Sequence, residues 1–160
     1  MKIYLILLLA LLFGETSCTE SGKRNSDNLY AVKRIVDGDT FYIDDGTEKG
    51  SSVRLIGVDT PETKHPRKEV EYYGKEASDY LKTLLAGKTV RLEFDVQERD
   101  RYGRLLAYVY VGKTFVNADL VKNGYAQIAT YPPNVKYVEL FQKLETEARE
   151  NNRGLWGKDS

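Results

Sequence analysis

The chain has 160 residues, of which 41% are hydrophobic and 11% aromatic, which suffices for one packed domain and excludes a disordered protein. Its 24 basic residues balance 24 acidic ones, so the formal net charge is zero. Because phosphate contacts supply most non-specific affinity for nucleic acids, this balance excludes a tight, processive nucleic-acid binder unless the charges are segregated.

The first residues predict an export signal. A single basic residue precedes an apolar run over 3–13, which is too short for a bilayer that needs about 20 apolar residues but suits a signal peptide. We assign 1–17 to the signal, 18–28 to a flexible polar tether and 29–158 to the folded domain. The sequence thus predicts an exported protein, which is periplasmic or secreted unless an anchor retains it.

The lone cysteine, Cys18, follows the small residues Thr16 and Ser17. It cannot form an internal disulfide, so an odd thiol in an exported protein needs another use. The string resembles a bacterial lipoprotein signal, although Glu15 stands where such signals carry an apolar residue. We expect acylation of Cys18, which would attach the protein to a membrane; simple cleavage and a retained hydrophobic anchor are the alternatives.

Runs of β-branched and aromatic residues predict five short strands. Three form an antiparallel meander and two follow a helix; the ranges are 30–36, 41–43, 53–58, 89–94 and 105–111. Apolar residues at helical spacing predict a first helix that ends at Gly87. The second helix has Asn117 as its N-cap and ends at Gly124. The third has Asn134 as its N-cap and ends near Gly154.

This order of elements predicts an α+β fold, namely a five-stranded Greek-key barrel of the oligonucleotide-binding (OB) type with three helices. Such barrels bind ligands with one open face and the adjoining loops. The charged loops of this chain therefore lie where a ligand is expected.

Two acids flank the apolar strands, Asp39 just before Phe41 and Asp59 just after Val58. Calcium prefers hard oxygen ligands, so these carboxylates and the carbonyl of Thr60 are candidates to hold it, with water and a substrate phosphate completing the shell. Taken singly, each acid is better explained as a turn residue than as a metal ligand. Only the combination indicates a cation site.

One further acid and two arginines complete the candidate site. Glu62 follows a proline and is a spare carboxylate that would orient or deprotonate water. Arg54 lies in an apolar strand, where its guanidinium needs an anion and matches a phosphate bidentately. Arg104 follows Gly103, which permits a turn that delivers donors to one side. The competing interpretations are an exposed acid for Glu62, a structural salt bridge for Arg54 and a solvent-facing basic loop for Arg104.

These motifs resemble the staphylococcal nuclease family, the thermonuclease family of calcium-dependent phosphodiesterases. The resemblance extends from about Tyr30 to Trp156 and rests on the strings 36–40, 54–55 with 58–66, 73–77, and 100–104 with 106–108. It implies the same barrel and an endonuclease that hydrolyses DNA and RNA to products with 3′-phosphate ends. We expect such an enzyme to be a monomer.

The resemblance also implies roles for single residues. The calcium ligands would be Asp39, Asp59 and the carbonyl of Thr60; the residues that activate water and grip the scissile phosphate would be Glu62, Arg54 and Arg104. Arg101 and Tyr102 match a lysine and a tyrosine that contact a neighbouring phosphate. The stretch before Asn134 is shorter than in the family and keeps Tyr131 as a candidate for contact with a base, since exposed tyrosines stack on bases.

Two other functional classes are alternatives to a nuclease. Barrels of this family also occur as non-catalytic binding modules, and an exported calcium-storage or structural protein would need only the acids. A binding module has no use for the full set of acids and arginines, whereas a calcium store leaves Arg54 and Arg104 unexplained.

Overall fold

The computed structural model describes residues 27–63 and 71–157. The predicted signal over 1–17, the acylation of Cys18 and most of the tether lie outside the described residues, so the division of the chain at residues 18 and 29 stays a prediction. No helix within the described part of the chain is long and apolar enough to cross a membrane.

Eight strands and three α-helices make up the described structure. The strands are β1 (Leu29–Ile35), β2 (Thr40–Ile43), β3 (Ser51–Leu55), β4 (Gly57–Asp59), β5 (Thr89–Glu93), β6 (Leu105–Val111), β7 (Thr114–Phe115) and β8 (Gln127–Ala129). The helices are α1 (Gly74–Leu85), α2 (Val116–Lys122) and α3 (Val138–Glu150), and a short 3-10 helix follows (Gly154–Trp156).

Five of the strands close into a barrel. β1, β2 and β3 form the antiparallel meander, β1 also pairs with β5, and β5 pairs with β6. Parallel pairing of β3 with β6, in which Val53 lies opposite Leu105, joins the two ends of the sheet. The prediction of an α+β barrel of five strands with three helices is therefore confirmed.

The third predicted strand is interrupted, which the sequence did not indicate. β3 ends at Leu55, and Gly57 has a φ of 78°, a left-handed conformation that favours glycine. A Cβ at this position would lie 2.5 Å from Cε2 of Phe141 on α3. After the break, β4 leaves the barrel wall and pairs with β8 in a separate two-stranded sheet, while the Asp59 side chain stays within reach of Arg54 on β3.

The core is apolar and is covered by the helices. α1 buries Ala77, Leu81 and Leu85 at the predicted helical spacing, and α3 buries Phe141 and Ala148. Side chains from the barrel strands fill the interior, among them Phe41, Ile43, Val53, Leu55, Val90, Leu92, Ala107 and Val109.

The predicted N-cap role of Asn117 is wrong. α2 begins one residue earlier, and Asn117 is fully buried within it. Its amide donates to the carbonyl of Ile56 at 2.8 Å and accepts the N–H of Val109 at 2.9 Å. Burial of an unpaired main-chain group costs stability, so Asn117 instead satisfies main-chain groups beside the break in the third strand.

Candidate active site

Arg54 on β3 brings the two predicted metal-binding acids together. One terminal nitrogen lies 2.7 Å from Oδ2 of Asp39, and the other lies 2.7 Å from Oδ1 of Asp59. The guanidinium also donates to the carbonyl of Val58 at 3.0 Å. The planar fork of donors in arginine suits this arrangement, because it reaches two carboxylates at once.

Asp39 is the most enclosed of the acids, with only 5% of its surface exposed. Its Oδ2 accepts the N–H and the hydroxyl of Thr60 at 3.0 and 3.1 Å, and its Oδ1 accepts the hydroxyl of Thr40 at 2.9 Å. Burial raises the pKa of Asp39, and although Arg54 lowers this pKa, the nearby charge of Asp37 raises it further. The charged form of Asp39 therefore depends on its cationic and hydrogen-bonding partners.

The turn between β1 and β2 places Asp39 beside Thr60. The N–H of Asp39 donates to Oδ1 of Asp37 at 3.2 Å, which closes the turn. A Cβ at Gly38 would lie 2.7 Å from Oγ1 of Thr60, so only glycine permits this approach. Asp37 thus supports the turn.

The oxygen atoms around Arg54 are of the types that bind a hard cation. Asp39 and Asp59 supply carboxylate oxygens, and Thr60 supplies a hydroxyl and a main-chain carbonyl, which are the ligand types that calcium prefers. Over residues 27–63 and 71–157, however, no group of three or more His, Cys, Asp or Glu side chains could hold a metal ion. Two acids together with a main-chain oxygen would leave an open coordination shell.

Asp100 organises the hairpin that carries the second arginine. Its Oδ2 forms a 2.7 Å ion pair with Nε of Arg104, and its Oδ1 accepts the N–H groups of Tyr102 and Arg104 at 2.9 and 3.0 Å. Burial would raise the pKa of Asp100, but these hydrogen bonds outweigh it and lower the pKa below its usual value. Gly103, with a φ of 80°, makes the turn possible. The role of Asp100 was not predicted from the sequence, although its position four residues before Arg104 is a signal for the ion pair.

A surface cavity of about 570 Å³ unites residues from distant parts of the chain. Arg54 and Arg104 line it together with Arg101, Tyr102 and Tyr131. Tyr102 and Tyr131 are 68% and 72% exposed, and a nitrogen of Arg101 lies 2.6 Å from the hydroxyl of Tyr102. The structure therefore assembles three arginines and two open aromatic rings in one concavity.

Glu62 is not among the residues that line this cavity. It is half-buried and follows by two residues Thr60, whose N–H binds Asp39. Its N–H donates to Oε2 of Glu71 at 3.1 Å, and its carbonyl accepts the N–H of Glu71 at 3.0 Å. The sequence singled out Glu62 but gave no indication of this partner.

The predicted N-cap role of Asn134 is also wrong. α3 begins at Val138, and Asn134 is 4% exposed beside the cavity. Its Oδ1 accepts the N–H of Gln97 and its Nδ2 donates to the carbonyl of the same residue, both at 2.8 Å. Its own N–H donates to the carbonyl of Tyr131 at 3.2 Å. Asn134 thus joins the turn that carries Tyr131 to the segment before the Arg104 hairpin.

Comparisons with known proteins identify relatives over most of the chain. A family model described as staphylococcal nuclease homologue matches residues 52–158. The chain is 47% identical to a thermonuclease of Staphylococcus hyicus over 146 residues, covering 86% of this chain and 85% of the relative. It is 48% identical to a thermonuclease of Staphylococcus intermedius over 128 residues, covering 79% and 75% of the two chains.

A relative from another genus is the SPbeta prophage-derived endonuclease YokF of Bacillus subtilis (strain 168). It is 44% identical over 132 residues, which cover 80% of this chain and 44% of the relative. Similarity to enzymes of two genera agrees with the resemblance seen in the motifs. The chain therefore belongs to the staphylococcal nuclease family and is an enzyme, a nuclease that hydrolyses nucleic acids.

Proposed function

We propose that the protein is a calcium-dependent endonuclease that cleaves phosphodiester bonds in both DNA and RNA and leaves 3′-phosphate ends. The observation that carries this proposal is the shared cavity of Arg54 and Arg104, which come from β3 and from the hairpin before β6. Two guanidinium groups facing one concavity match the negative charge that develops on a phosphate during hydrolysis. The names thermonuclease and endonuclease of the relatives agree with this chemistry.

The arginines would bind the scissile phosphate and stabilise its transition state. Each is oriented by a carboxylate at 2.7 Å, Arg54 by Asp39 and Asp59 and Arg104 by Asp100. Such orientation removes the need to reorganise donors during the reaction. Loss of one preorganised donor typically costs about 10²- to 10³-fold in rate.

Glu62 would activate the nucleophile. Its carboxylate would orient a water molecule or accept its proton while the oxygen attacks phosphorus. The bond from phosphorus to the 5′-oxygen breaks on the opposite side, and that oxygen takes up a proton from solvent to leave as a hydroxyl group. Asp39, Asp59 and the carbonyl of Thr60 would hold calcium, which supplies a Lewis acid and a template when bound. Because calcium acidifies water only weakly, a separate base is needed.

Arg101, Tyr102 and Tyr131 would hold the parts of the substrate beside the scissile bond. Arg101 offers charge for a neighbouring phosphate, and the two exposed rings offer faces for stacking on bases. Stacking contacts the face of the base and not the 2′-position of the sugar, so it does not discriminate between DNA and RNA.

We further propose that the protein is exported and works as a monomer attached to a membrane through an acyl group on Cys18. The apolar run followed by small residues and a lone cysteine supports this location. Mass spectrometry of the mature N-terminus tests it directly: an acylated Cys18 is expected, and an unmodified N-terminus elsewhere would contradict it.

The proposed reaction is tested by digestion of single-stranded DNA and RNA by the mature chain with calcium, with a chelator, and with Glu62→Gln. The chelator should abolish cleavage, and Glu62→Gln should lower the rate by about 10²- to 10⁴-fold. Glu76→Gln, an exposed glutamate in α1, is the matched control and should retain the parent rate. Equal cleavage in all samples would contradict the mechanism, whereas binding without cleavage would favour a non-catalytic binding module.

A further inference from the structure

The main chain of Glu62 is hydrogen-bonded to Glu71, which lies nine positions further along the chain. Two hydrogen bonds run in opposite directions: the N–H of Glu62 donates to the side-chain Oε2 of Glu71, and the N–H of Glu71 donates to the carbonyl of Glu62. Together they fix both main-chain polar groups of Glu62. A hydrogen bond that involves a charged group is about twice as strong as a neutral one.

Glu71 is itself fixed to the start of α1. The N–H of Gly74 donates to the carbonyl of Glu71 at 3.0 Å. Tyr73, which precedes the helix in a left-handed conformation (φ 64°), stacks on Tyr125 with ring centroids 5.5 Å apart, and Tyr125 stacks on Tyr80 of α1 at 4.0 Å. The contact between Glu71 and Glu62 therefore connects the candidate base to a helix that is packed on the core.

The start of α1 also lies directly against the main chain around Glu62. A Cβ at Gly74 would lie 3.0 Å from the carbonyl oxygen of Pro61 and 3.2 Å from that of Glu62. Both distances are tighter than ordinary van der Waals contact. The segment that carries Glu62 is thus in contact with the helix start through packing as well as through hydrogen bonds.

We propose that Glu71 is a positioning residue for Glu62: its carboxylate binds the main-chain N–H of Glu62 and so fixes the place from which the Glu62 carboxylate reaches the attacking water. This inference rests on the proposed role of Glu62. A misplacement of about 1 Å in a reacting group costs on the order of 10²-fold in rate, so a contact that does not touch substrate still affects turnover. Glu71 should influence kcat and leave KM almost unchanged.

The experiment compares Glu71→Ala with Glu71→Gln, which keeps an oxygen acceptor, in the mature chain. Glu76→Ala is the matched control, since it removes an exposed negative charge from the first turn of the same helix. We expect Glu71→Ala to lower kcat by about 10- to 100-fold with little change in KM. Glu71→Gln should restore most of the rate, and Glu76→Ala should behave as the parent.

Hydrogen exchange of the Glu62 amide, followed by NMR, reports the contact without any activity measurement. The parent amide should be protected, and Glu71→Ala should speed its exchange by about 10-fold or more. An unprotected Glu62 amide in the parent would overturn the proposal, even if Glu71→Ala failed to fold. Unchanged kcat and exchange in Glu71→Ala would also overturn it.

Glu62→Gln, measured in the same series, separates this inference from the proposed function. Full activity in Glu62→Gln would contradict the proposed function itself. Loss of activity in Glu62→Gln together with parent-like kcat in Glu71→Ala would overturn only the positioning role.

Discussion

The guanidinium of Arg54 forms a 2.7 Å ion pair with the carboxylate of Asp39, and both side chains are largely enclosed. A carboxylate in this environment is costly to leave without a cation, because water cannot replace the missing charge. Arg54 therefore stabilises the fold of the site in addition to its proposed work on the phosphate.

Arg54→Lys should lower both stability and activity. A lysine amine has one charge centre in place of the fork that reaches Asp39 and Asp59, so one carboxylate loses its partner. We expect the free energy of unfolding in urea to fall by about 2 kcal/mol, and nuclease activity by about 10²-fold. Arg34→Lys, at an exposed position of β1 outside the cavity, keeps a cation beside the ring of Tyr42 and should change neither value. An unaltered unfolding curve for Arg54→Lys would contradict the structural role.

Gly57→Ala should destabilise the protein more than an equivalent change at another glycine with positive φ. Alanine at residue 57 would suffer backbone strain and would also press on Phe141, where the new Cβ lies 2.5 Å from a ring carbon. We expect a loss of about 3 kcal/mol, measured by thermal or urea unfolding.

The control is Gly46→Ala, because Gly46 has a φ of 88° but no atom within 4 Å of a Cβ placed there. Strain alone should cost about 1 kcal/mol at that position. Equal losses for the two variants would show that the contact with α3 contributes nothing.

Tyr131→Ala should weaken substrate binding and leave the chemical step intact. The ring is 72% exposed on the wall of the cavity, so its removal takes away a stacking surface without disturbing the core. We expect KM for single-stranded DNA to rise about tenfold with kcat nearly constant. Tyr72→Ala removes a ring that is 55% exposed outside that cavity and should leave KM unchanged; a similar rise in both variants would argue against a specific role of Tyr131.

Glu93 should make stability depend on pH in the acid range. Burial alone would raise the pKa of Glu93, but hydrogen bonds from Lys136 and Tyr137 at 2.7 and 2.8 Å outweigh it and lower the pKa. Because the folded pKa lies below the unfolded value of about 4.3, the carboxylate stabilises the protein above that pH. This contribution is lost as the pH falls through the folded pKa.

Glu93→Gln should therefore lower the free energy of unfolding by about 1 kcal/mol at pH 7 and by much less at pH 3, as measured by urea unfolding. Glu48→Gln, at an exposed loop position, should have little effect at either pH. If Glu93→Gln lowered the free energy of unfolding equally at pH 7 and pH 3, the charged carboxylate of Glu93 would not be the cause.

Local sequence patterns predicted the secondary structure correctly wherever burial of apolar side chains dominated. Alternating and helically spaced apolar residues predicted the five barrel strands and the three helices, because burial of apolar surface is read directly from spacing. They failed at Gly57, where the third strand breaks and the main chain packs against Phe141, 84 positions away in the chain. They also failed at Asn117 and Asn134, whose hydrogen-bond partners come from other elements.

The sequence by itself determined the identities of the chemical groups: Asp39, Asp59, Glu62, Arg54 and Arg104 stand in short motifs whose residue types suit phosphate and a hard cation. Only the tertiary structure decided which of them meet. Closure of β3 onto β6 brings Arg54 and Arg104 to one cavity, and the break after β3 returns Asp59 and Thr60 to the site of Asp39. Contacts between residues far apart in sequence arise from the packing of whole elements, so no local pattern encodes the partners of Arg54 or the contact of Glu62 with Glu71.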